Sequence, residues 1–301
     1  MISVLIPLYN GVEFISESVT SVLNQTYENW ELLIGVNGHP ANSDVFKKAK
    51  EYESDKVRVF DFHWLKSAPL TYSELKKYCN GDYIATLDVD DKWVPEKLEK
   101  QVPFMEKYDV IGTHTQYFGD ISTSPNIPMG DITNYDFFMM NPFINSSIII
   151  KKELCNFPDS FVYDYDLWLT LFKQRKRFYN VDEKLTLHRV HKSSFFNSGG
   201  QNNNKVPDLL KSHKNFFSII VQGGLGNQMF QIAAGYSFAK KYNKLFFANK
   251  GSNTHSNIDY FQTLFKNIST LPTKTDYTSQ LSFVSGYYTR EWSRISGMVS
   301  K

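Results

Sequence analysis

Short apolar runs alternate with amphipathic stretches through the first hundred residues of the chain. The apolar runs are nearly continuous, which is typical of strands buried on both faces. Strands are therefore predicted at 2–6, 30–36, 57–62 and from Tyr83 onwards. Apolar residues at helical spacing predict the intervening helices, at 15–23, after the cap Asp44, at 72–79 and at 96–107. Four alternations of strand and helix predict an α/β fold with a doubly wound, mostly parallel sheet.

The fourth predicted strand ends in a group of carboxylates, Asp88, Asp90 and Asp91. If the chain stays extended there, the side chains of Asp88 and Asp90 leave it on the same side. The carboxyl edge of an open α/β sheet is where such folds bind ligands, and two hard oxygen donors there suit Mg²⁺ or Mn²⁺ carrying a diphosphate. The alternative is a solvated loop whose acids cap the helix that Pro95 begins.

The chain after Tyr108 is less regular. Strands are predicted at 110–117 and 146–152, and a loop with two prolines at 121–130 is expected to lie near an acceptor. Residues 198–205 contain no apolar side chain and indicate a linker, taken to extend over 198–215. From Phe216 a strand, a glycine turn and a helix follow. They predict a small, incomplete Rossmann-like α/β segment over 216–301.

Composition narrows the class of protein. The 301 residues carry a formal charge of +2, which supports neither a nucleic acid nor an acidic surface as partner. The two cysteines, Cys79 and Cys155, favour a reducing compartment over a disulfide scaffold or a zinc site. No run is long enough to span a membrane and no signal peptide is visible. We expect a soluble, cytoplasmic protein.

Several ordered motifs resemble the family 2 glycosyltransferases of GT-A fold, at 2–10, 21–27, 81–84 and 87–91. The resemblance implies a GT-A domain over 1–197. It also implies transfer of a sugar from a nucleoside diphosphate sugar to a hydroxyl of a glycan or other acceptor, usually with inversion and with Mn²⁺ or Mg²⁺. It assigns donor contacts to Pro7, Leu8 and Tyr9. It also assigns the ribose contact to Asp88, a donor contact to the neighbouring Val89, and metal binding to Asp90.

Further candidates come from the same resemblance, with departures. The family often ends its second strand with two aspartates, one of which contacts the base, whereas this chain has Val36 and Asn37. Asn37 is retained as a donor-binding candidate, and Lys66 is a candidate for the donor phosphates. The alternative for Lys66 is solvated surface.

The resemblance also assigns a catalytic base to Asp164, whose preceding Glu in the family is here Tyr163. A carboxylate in that place can take the proton of the attacking hydroxyl. Asp166 is the runner-up, and both acids also suit a helix N-terminus. His191 stands in a segment resembling Arg-x-His and would bind the metal or the pyrophosphate. A structural role is its alternative, and His188 receives no role.

The end of the chain has a second resemblance. Residues 223–230 and 285–292 resemble the α-1,2-fucosyltransferase family, but the His-x-Arg-Arg region of that family is missing. The 216–301 segment is therefore not expected to bind a donor alone. Two alternatives remain open for the chain. One is a non-catalytic nucleotide-sugar or carbohydrate-binding module, with Val36 and Tyr163 as signs of decay, and the other is part of a bifunctional glycosyltransferase/fucosyltransferase.

Overall fold

The computed structural model describes residues 1–192, 205–213, 216–241, 245–250, 260–265 and 268. The chain divides into two compact units, Met1–Phe216 and Phe217–Lys301. No helix among these described residues is both long enough and apolar enough to cross a membrane.

Strands and helices alternate in the first half of the first unit, as the apolar pattern predicts. The elements are β1 (Ile2–Leu8), α1 (Ile15–Leu23), β2 (Trp30–Asn37), α2 (Asp44–Lys50), β3 (Val57–Phe62), α3 (Ala68–Lys76) and β4 (Tyr83–Thr86). The four strands pair in parallel in the order β3-β2-β1-β4. Every residue of β1 and β2 is buried, because apolar clusters lie on both faces of the sheet.

The second half of this unit makes the sheet mixed. Its elements are β5 (Lys92–Trp93), α4 (Lys97–Gln101), β6 (Val110–Gly119), β7 (Gly130–Asp131), β8 (Ile149–Lys151), α5 (Tyr163–Lys173), β9 (Phe178–Val190) and α6 (Lys205–His213). The order continues as β4-β8-β6-β9-β5, with β7 on β9. Strand β8 runs antiparallel to both β4 and β6, whereas β6 and β9 are parallel. The sheet is thus not doubly wound throughout.

Two apolar clusters form the core, one on each face of the sheet. Val4 and Ile6 of β1 belong to the cluster that contains Val19 of α1. Leu5 belongs to the other cluster, together with Trp168 of α5. Alternate residues of a strand point to opposite faces, so α5 is held on the face opposite α1.

The turn after β4 corrects one prediction. The chain is not extended through the acidic group, because it turns at Val89 and Asp90. The Asp91 N–H donates to the Asp88 carbonyl oxygen at 3.0 Å, which closes this turn. The same-side argument for Asp88 and Asp90 therefore fails, and their placement depends on contacts with other parts of the chain.

Several element boundaries also differ from the predictions. Ser43 rather than Asp44 caps α2, since its hydroxyl accepts from the Phe46 N–H at 3.2 Å. Helix α3 begins at Ala68, ahead of the predicted start. The predicted 96–107 helix is α4 followed by a 3-10 helix at Val102–Phe104, because Pro103 has no N–H to continue the α-helical ladder. Strand β8 covers only part of 146–152.

The linker predicted over 198–215 contains a helix, α6. Its residues Val206, Leu209 and Leu210 pack against the cluster that includes α5. The Nε2 atom of His213 lies 2.6 Å from the Asp166 carboxylate of α5. Three apolar residues at helical spacing explain the helix. The remainder of the predicted linker, 198–204 with 214 and 215, lies outside the described residues.

One lysine of the first unit is fully buried. Lys97 has no exposed surface, and its Nζ donates to Gln101 Oε1 at 2.9 Å. The same atom lies 3.9 Å from the centroid of the Trp93 ring. Burial lowers the pKa of Lys97 well below its ordinary value, because a low-dielectric interior disfavours the ammonium form.

The remaining elements are β10 (Phe216–Val221), whose first residue is the last of the first unit, and then α7 (Leu225–Lys241), β11 (Leu245–Lys250) and a 3-10 helix at Tyr260–Gln262 in the second unit. Strands β10 and β11 form a two-stranded sheet. Gly223 has φ 88° in the turn into α7, a conformation that glycine adopts without strain. The motif at 285–292 lies outside the described residues, so the likeness to fucosyltransferases stays a prediction.

Candidate active site

The carboxyl ends of β1, β2 and β4 lie at one edge of the sheet, because these strands are parallel. Tyr9 follows β1, Asn37 ends β2, and the acidic turn Asp88–Asp91 follows β4. The end of β9 reaches the same turn, since Arg189 and His191 bond to Asp90 and Asp91. Residues far apart in the sequence therefore meet at this edge.

Asp88 is held by three neighbours, two at its side chain and one at its backbone N–H. Its Oδ1 accepts from Asn145 Nδ2 at 2.9 Å and from the Tyr72 hydroxyl at 3.3 Å. The Asp88 N–H donates to the Ser146 hydroxyl at 3.0 Å. Burial raises the pKa of Asp88 to about 7, and the charges of Asp91 and Asp90 add to this effect. The position of this carboxyl group is thus set by α3 and by the segment before β8.

Asp90 and His191, the two predicted metal ligands, lie close together. Asp90 Oδ2 lies 3.1 Å from His191 Nε2, and the two side chains are 22% and 23% exposed. Burial, and next the Asp91 charge, raise the pKa of Asp90. The His191 ring packs against Phe14, with ring centroids 5.2 Å apart. Asp90 thus supplies a hard oxygen and His191 an imidazole nitrogen, and both side chains are partly exposed to solvent.

The fully buried Asp91 and the partly buried His188 form a pair that the sequence reasoning missed. His188 Nδ1 lies 2.9 Å from Asp91 Oδ2, and the Arg189 N–H donates to Asp91 Oδ1 at 2.8 Å. Burial alone would lower the pKa of His188, but the Asp91 carboxylate raises it to about 9, helped by Asp88 and Asp90. The only sequence signal was a third acid after the Asp-x-Asp pair and a histidine three residues before His191.

Arg189 joins the end of β9 to the acidic turn and to α1. Its Nε donates to the Asp90 carbonyl oxygen at 2.9 Å, and its Nη2 lies 2.7 Å from Glu17 Oε1. The guanidinium group stacks on Phe14 and Phe118, 4.4 Å from each ring centroid. A planar cation held between two rings and a carboxylate is well ordered, so Arg189 fixes this corner of the site.

Asp164 and Asp166 lie in the first turn of α5 but have different surroundings. Asp164 Oδ2 accepts from Asn141 Nδ2 at 3.1 Å, and burial raises its pKa. Asp166 instead bonds to His213 of α6 at 2.6 Å. Burial would raise the pKa of Asp166, but the His213 bond lowers it below the ordinary value. Asp164 is the one whose charge acts on Tyr163.

Tyr163, the residue before Asp164, has a phenol whose pKa responds to the charges of the acidic turn. Burial raises the pKa of its phenol well above the ordinary value, and the charges of Asp88, Asp164 and Asp90 raise it further. Its ring lies 6.1 Å from that of Tyr72, whose hydroxyl bonds to Asp88. The Tyr163 hydroxyl therefore stays protonated.

The donor candidates fall into two groups. The side chains of Pro7, Leu8 and Val89 are buried, so only their backbone could contact a ligand. Tyr9 is 52% exposed and Lys66 is exposed.

Asn37 is only 1% exposed, and neither its Oδ1 nor its Nδ2 has a hydrogen-bond partner. A buried amide without partners is costly. Asn37 ends β2 at the same edge of the sheet as Tyr9 and the acidic turn, which is the position that its prediction as a donor-binding residue requires.

Comparisons with known proteins identify the family of this chain. The model for "Glycosyl transferase family 2" matches residues 3–167. The putative glycosyltransferase EpsE of Bacillus subtilis is 29% identical over 213 residues, which are 64% of this chain and 74% of the relative. An Escherichia coli protein, WfgD, named as a UDP-Glc:alpha-D-GlcNAc-diphosphoundecaprenol beta-1,3-glucosyltransferase, is 31% identical over 180 residues, or 58% and 70% of the two chains.

Solved structures show a shared fold. S. aureus TarS 1–349 with UDP-GlcNAc superposes with a TM-score of 0.56 at 15% identity. The match covers 70% of this chain and 66% of that one, just under two thirds. Glucosyl-3-phosphoglycerate synthase from Mycobacterium tuberculosis, with Mn²⁺, UDP and phosphoglyceric acid, gives 0.52 at 14% identity over 72% and 81%. These likenesses confirm the GT-A-like mixed α/β fold that the motifs predict.

Proposed function

The chain belongs to glycosyl transferase family 2 and is a glycosyltransferase, and we propose that it inverts the transferred sugar in a reaction dependent on Mn²⁺ or Mg²⁺. The donor is a nucleoside diphosphate sugar, and the acceptor is a hydroxyl of a glycan or of another molecule. The single observation that carries the proposal is the Asp90–His191 pair, 3.1 Å apart at the carboxyl edge of the sheet. Membership in the family favours an enzyme over the binding module considered above.

The donor set at Asp90 and His191 fits a divalent cation. Octahedral Mg²⁺ with bonds of about 2.1 Å places neighbouring ligand atoms about 3.0 Å apart, close to the 3.1 Å observed. Within the described ranges no group of three His, Cys, Asp or Glu side chains could hold a metal. A cation held by one or two protein ligands plus substrate phosphates is the usual arrangement for Mg²⁺. When bound, it would neutralise the charge that develops on the leaving diphosphate.

Donor binding is assigned to groups at the same edge. Asp88, fixed by Asn145 and Tyr72, would accept a hydrogen bond from the ribose. The unpartnered Asn37 amide would bond to the base, because an amide can donate and accept at once. Tyr9 would flank the nucleoside and Lys66 the phosphates. The Mn²⁺ complexes of the M. tuberculosis enzyme and of the mannosyltransferase from Pyrobaculum calidifontis support the choice of metal.

Asp164 acts as the general base. Its carboxylate accepts the proton of the acceptor hydroxyl while that oxygen attacks the anomeric carbon on the face opposite the diphosphate. The C–O bond to the acceptor forms as the bond to the diphosphate breaks, through an oxocarbenium-like transition state. A single displacement of this kind inverts the anomeric centre. A carboxyl pKa raised by burial makes Asp164 a stronger base than an exposed aspartate.

The names of two relatives suggest one chemical class of acceptor to test. WfgD and WfaP of E. coli are both named for transfer to GlcNAc-diphosphoundecaprenol. We propose a sugar on a polyprenyl diphosphate as the first acceptor to try, beside free glycans.

The test uses Asp90→Ala with Asp55→Ala as control, since Asp55 is an exposed acid before the amino end of β3. UDP-, GDP- and dTDP-sugars are screened by thermal shift and by donor turnover, with and without Mn²⁺. We expect one donor class to stabilise the wild type only with Mn²⁺, and Asp90→Ala to lose both that stabilisation and turnover. An Asp90→Ala protein that turns over at the wild-type rate would refute the metal role.

A further inference from the structure

We propose that His188 is a positioning residue, which holds the Asp91 carboxylate and thereby fixes the acidic turn so that Asp90 faces His191. The proposal rests on the proposed function, because the atoms so aligned are the candidate metal ligands. His188 itself contacts neither of these two ligand atoms through any hydrogen bond that the structure shows.

Asp91 holds the acidic turn through both its backbone and its side chain. Its N–H donates to the Asp88 carbonyl oxygen at 3.0 Å. Its two carboxylate oxygens accept from the Arg189 N–H and from His188 at 2.8 and 2.9 Å. The Asp91 side chain has no exposed surface. A buried carboxylate with both oxygens bonded has little freedom to move, so the residues on either side of it are held as well.

This bond joins parts of the chain that are 97 residues apart. On one side Asp91 directly follows Asp90, and on the other His191 lies three residues beyond His188. The short antiparallel pairing of Lys92 with Leu187 continues the same junction. The 3.1 Å separation of the Asp90 and His191 side chains therefore depends on how firmly the acidic turn is attached to the end of β9.

A different role for His188 would have the opposite effect on cation binding. His188 brings a positive charge close to three carboxylates, and removing a nearby positive charge favours the binding of a cation. If His188 acted mainly through charge, its removal would tighten Mn²⁺ binding. If it acts by position, its removal weakens Mn²⁺ binding, because the two ligand atoms are no longer held at one distance.

Two substitutions separate these roles. His188→Asn places an amide N–H close to the position of the imidazole Nδ1, so it keeps the bond to Asp91 while removing the charge. His188→Leu has a similar size and removes both. The matched control is His213→Leu, which deletes another buried histidine–carboxylate bond, that of His213 with Asp166, 2.6 Å long.

The experiment measures Mn²⁺ affinity of the full chain from the electron paramagnetic resonance signal of free Mn²⁺. It is done with Mn²⁺ alone and with UDP, GDP or dTDP present. We expect His188→Leu to weaken Mn²⁺ affinity by about 10- to 100-fold, the usual effect of losing a partner that orients a metal site. The Mn²⁺ affinity of His188→Asn should stay within about threefold of the wild-type affinity. The Mn²⁺ affinity of His213→Leu should equal that of the wild type.

Each outcome decides between the roles. Equal or tighter binding by His188→Leu overturns the positioning role while leaving the proposed function intact. If His188→Leu does not fold, His188→Asn decides, because a tenfold loss despite the retained bond also overturns the role. A wild-type protein that binds no Mn²⁺ under any of these conditions refutes the metal-dependent function itself, and the positioning role with it.

Discussion

Replacing Asp164 and Asp166 by Asn in turn makes the same chemical change at two neighbouring places on α5. The structure gives the two carboxylates different partners, Asn141 for Asp164 and His213 for Asp166. We expect the two variants to show opposite defects. Asp164→Asn should lose activity without losing stability, and Asp166→Asn should lose stability while keeping most of its activity.

The size of the activity loss follows from the role of a general base. Such a group contributes about a hundred- to ten-thousand-fold to the rate, which corresponds to about 3–5 kcal/mol in the activation free energy. Turnover by Asp164→Asn should fall by that factor. Donor affinity should change by no more than a few-fold, because the proposed donor contacts are at Asp88 and Asp90 rather than at Asp164. Asp166→Asn should keep turnover within about tenfold, as expected of a residue that does not take part in proton transfer.

The stability effects have opposite signs. Burial raises the pKa of Asp164 in the folded chain, so its ionised form opposes folding at neutral pH and Asn should leave the free energy of unfolding unchanged or higher. The pKa of Asp166 is lowered, so its carboxylate stabilises the fold above the ordinary pKa of about 3.9. That contribution is lost as the pH falls through the lowered value. Asp166→Asn should therefore cost about 1–2 kcal/mol at pH 7.

The assays are initial rates at saturating donor, calorimetric donor affinity, and urea unfolding at pH 7. Full turnover by Asp164→Asn with complete loss in Asp166→Asn would mean that the base lies two residues later than proposed. Equal stability losses in the two variants would contradict the electrostatic reasoning, even if the activities agreed. Far-UV circular dichroism serves as the control that both variants are folded.

Two further predictions concern the fold and the domain boundary. Lys97→Met should stabilise the protein, because it removes a buried lysine whose pKa is well below its ordinary value. In the wild type, the unfolded chain binds a proton at Lys97 below pH 10 that the folded chain binds less tightly, which destabilises the fold. Lys97→Met removes this difference, so the gain in urea stability should be larger at pH 6 than at pH 10. Equal gains at the two pH values would contradict this account. A chain of residues 1–216 should keep sugar transfer, because every candidate site residue lies before Lys192. If this shortened chain folded by circular dichroism but turned over no donor, the second unit would have to contribute to the site.

The amino-acid pattern alone was enough to predict the four parallel strands β1 to β4 and the edge of the sheet where the candidate site lies, whereas β5, β7 and β9 were not predicted. Nearly continuous apolar runs indicate strands that are buried on both faces of the sheet. In a parallel sheet the carboxyl ends of these strands lie at the same edge. Asp88, Asp90 and Asn37 could therefore be placed at one edge before any contact was known. Helical geometry also separates Asp164 from Asp166, since two residues correspond to about 200° around a helix.

Only the tertiary structure decided the partners of these side chains. The Asp91–His188 bond joins residues 97 positions apart, and no local pattern records such a distance. Helix α6 lies within the stretch predicted as a linker, because the polar residues before it outnumber the three apolar residues that pack against the cluster containing α5. The periodicity of apolar residues predicts whether a residue is buried. Hydrogen bonds between distant segments depend instead on the tertiary fold of the whole chain. For that reason the acidic turn could be located from the sequence, but the buried pair that fixes it could not.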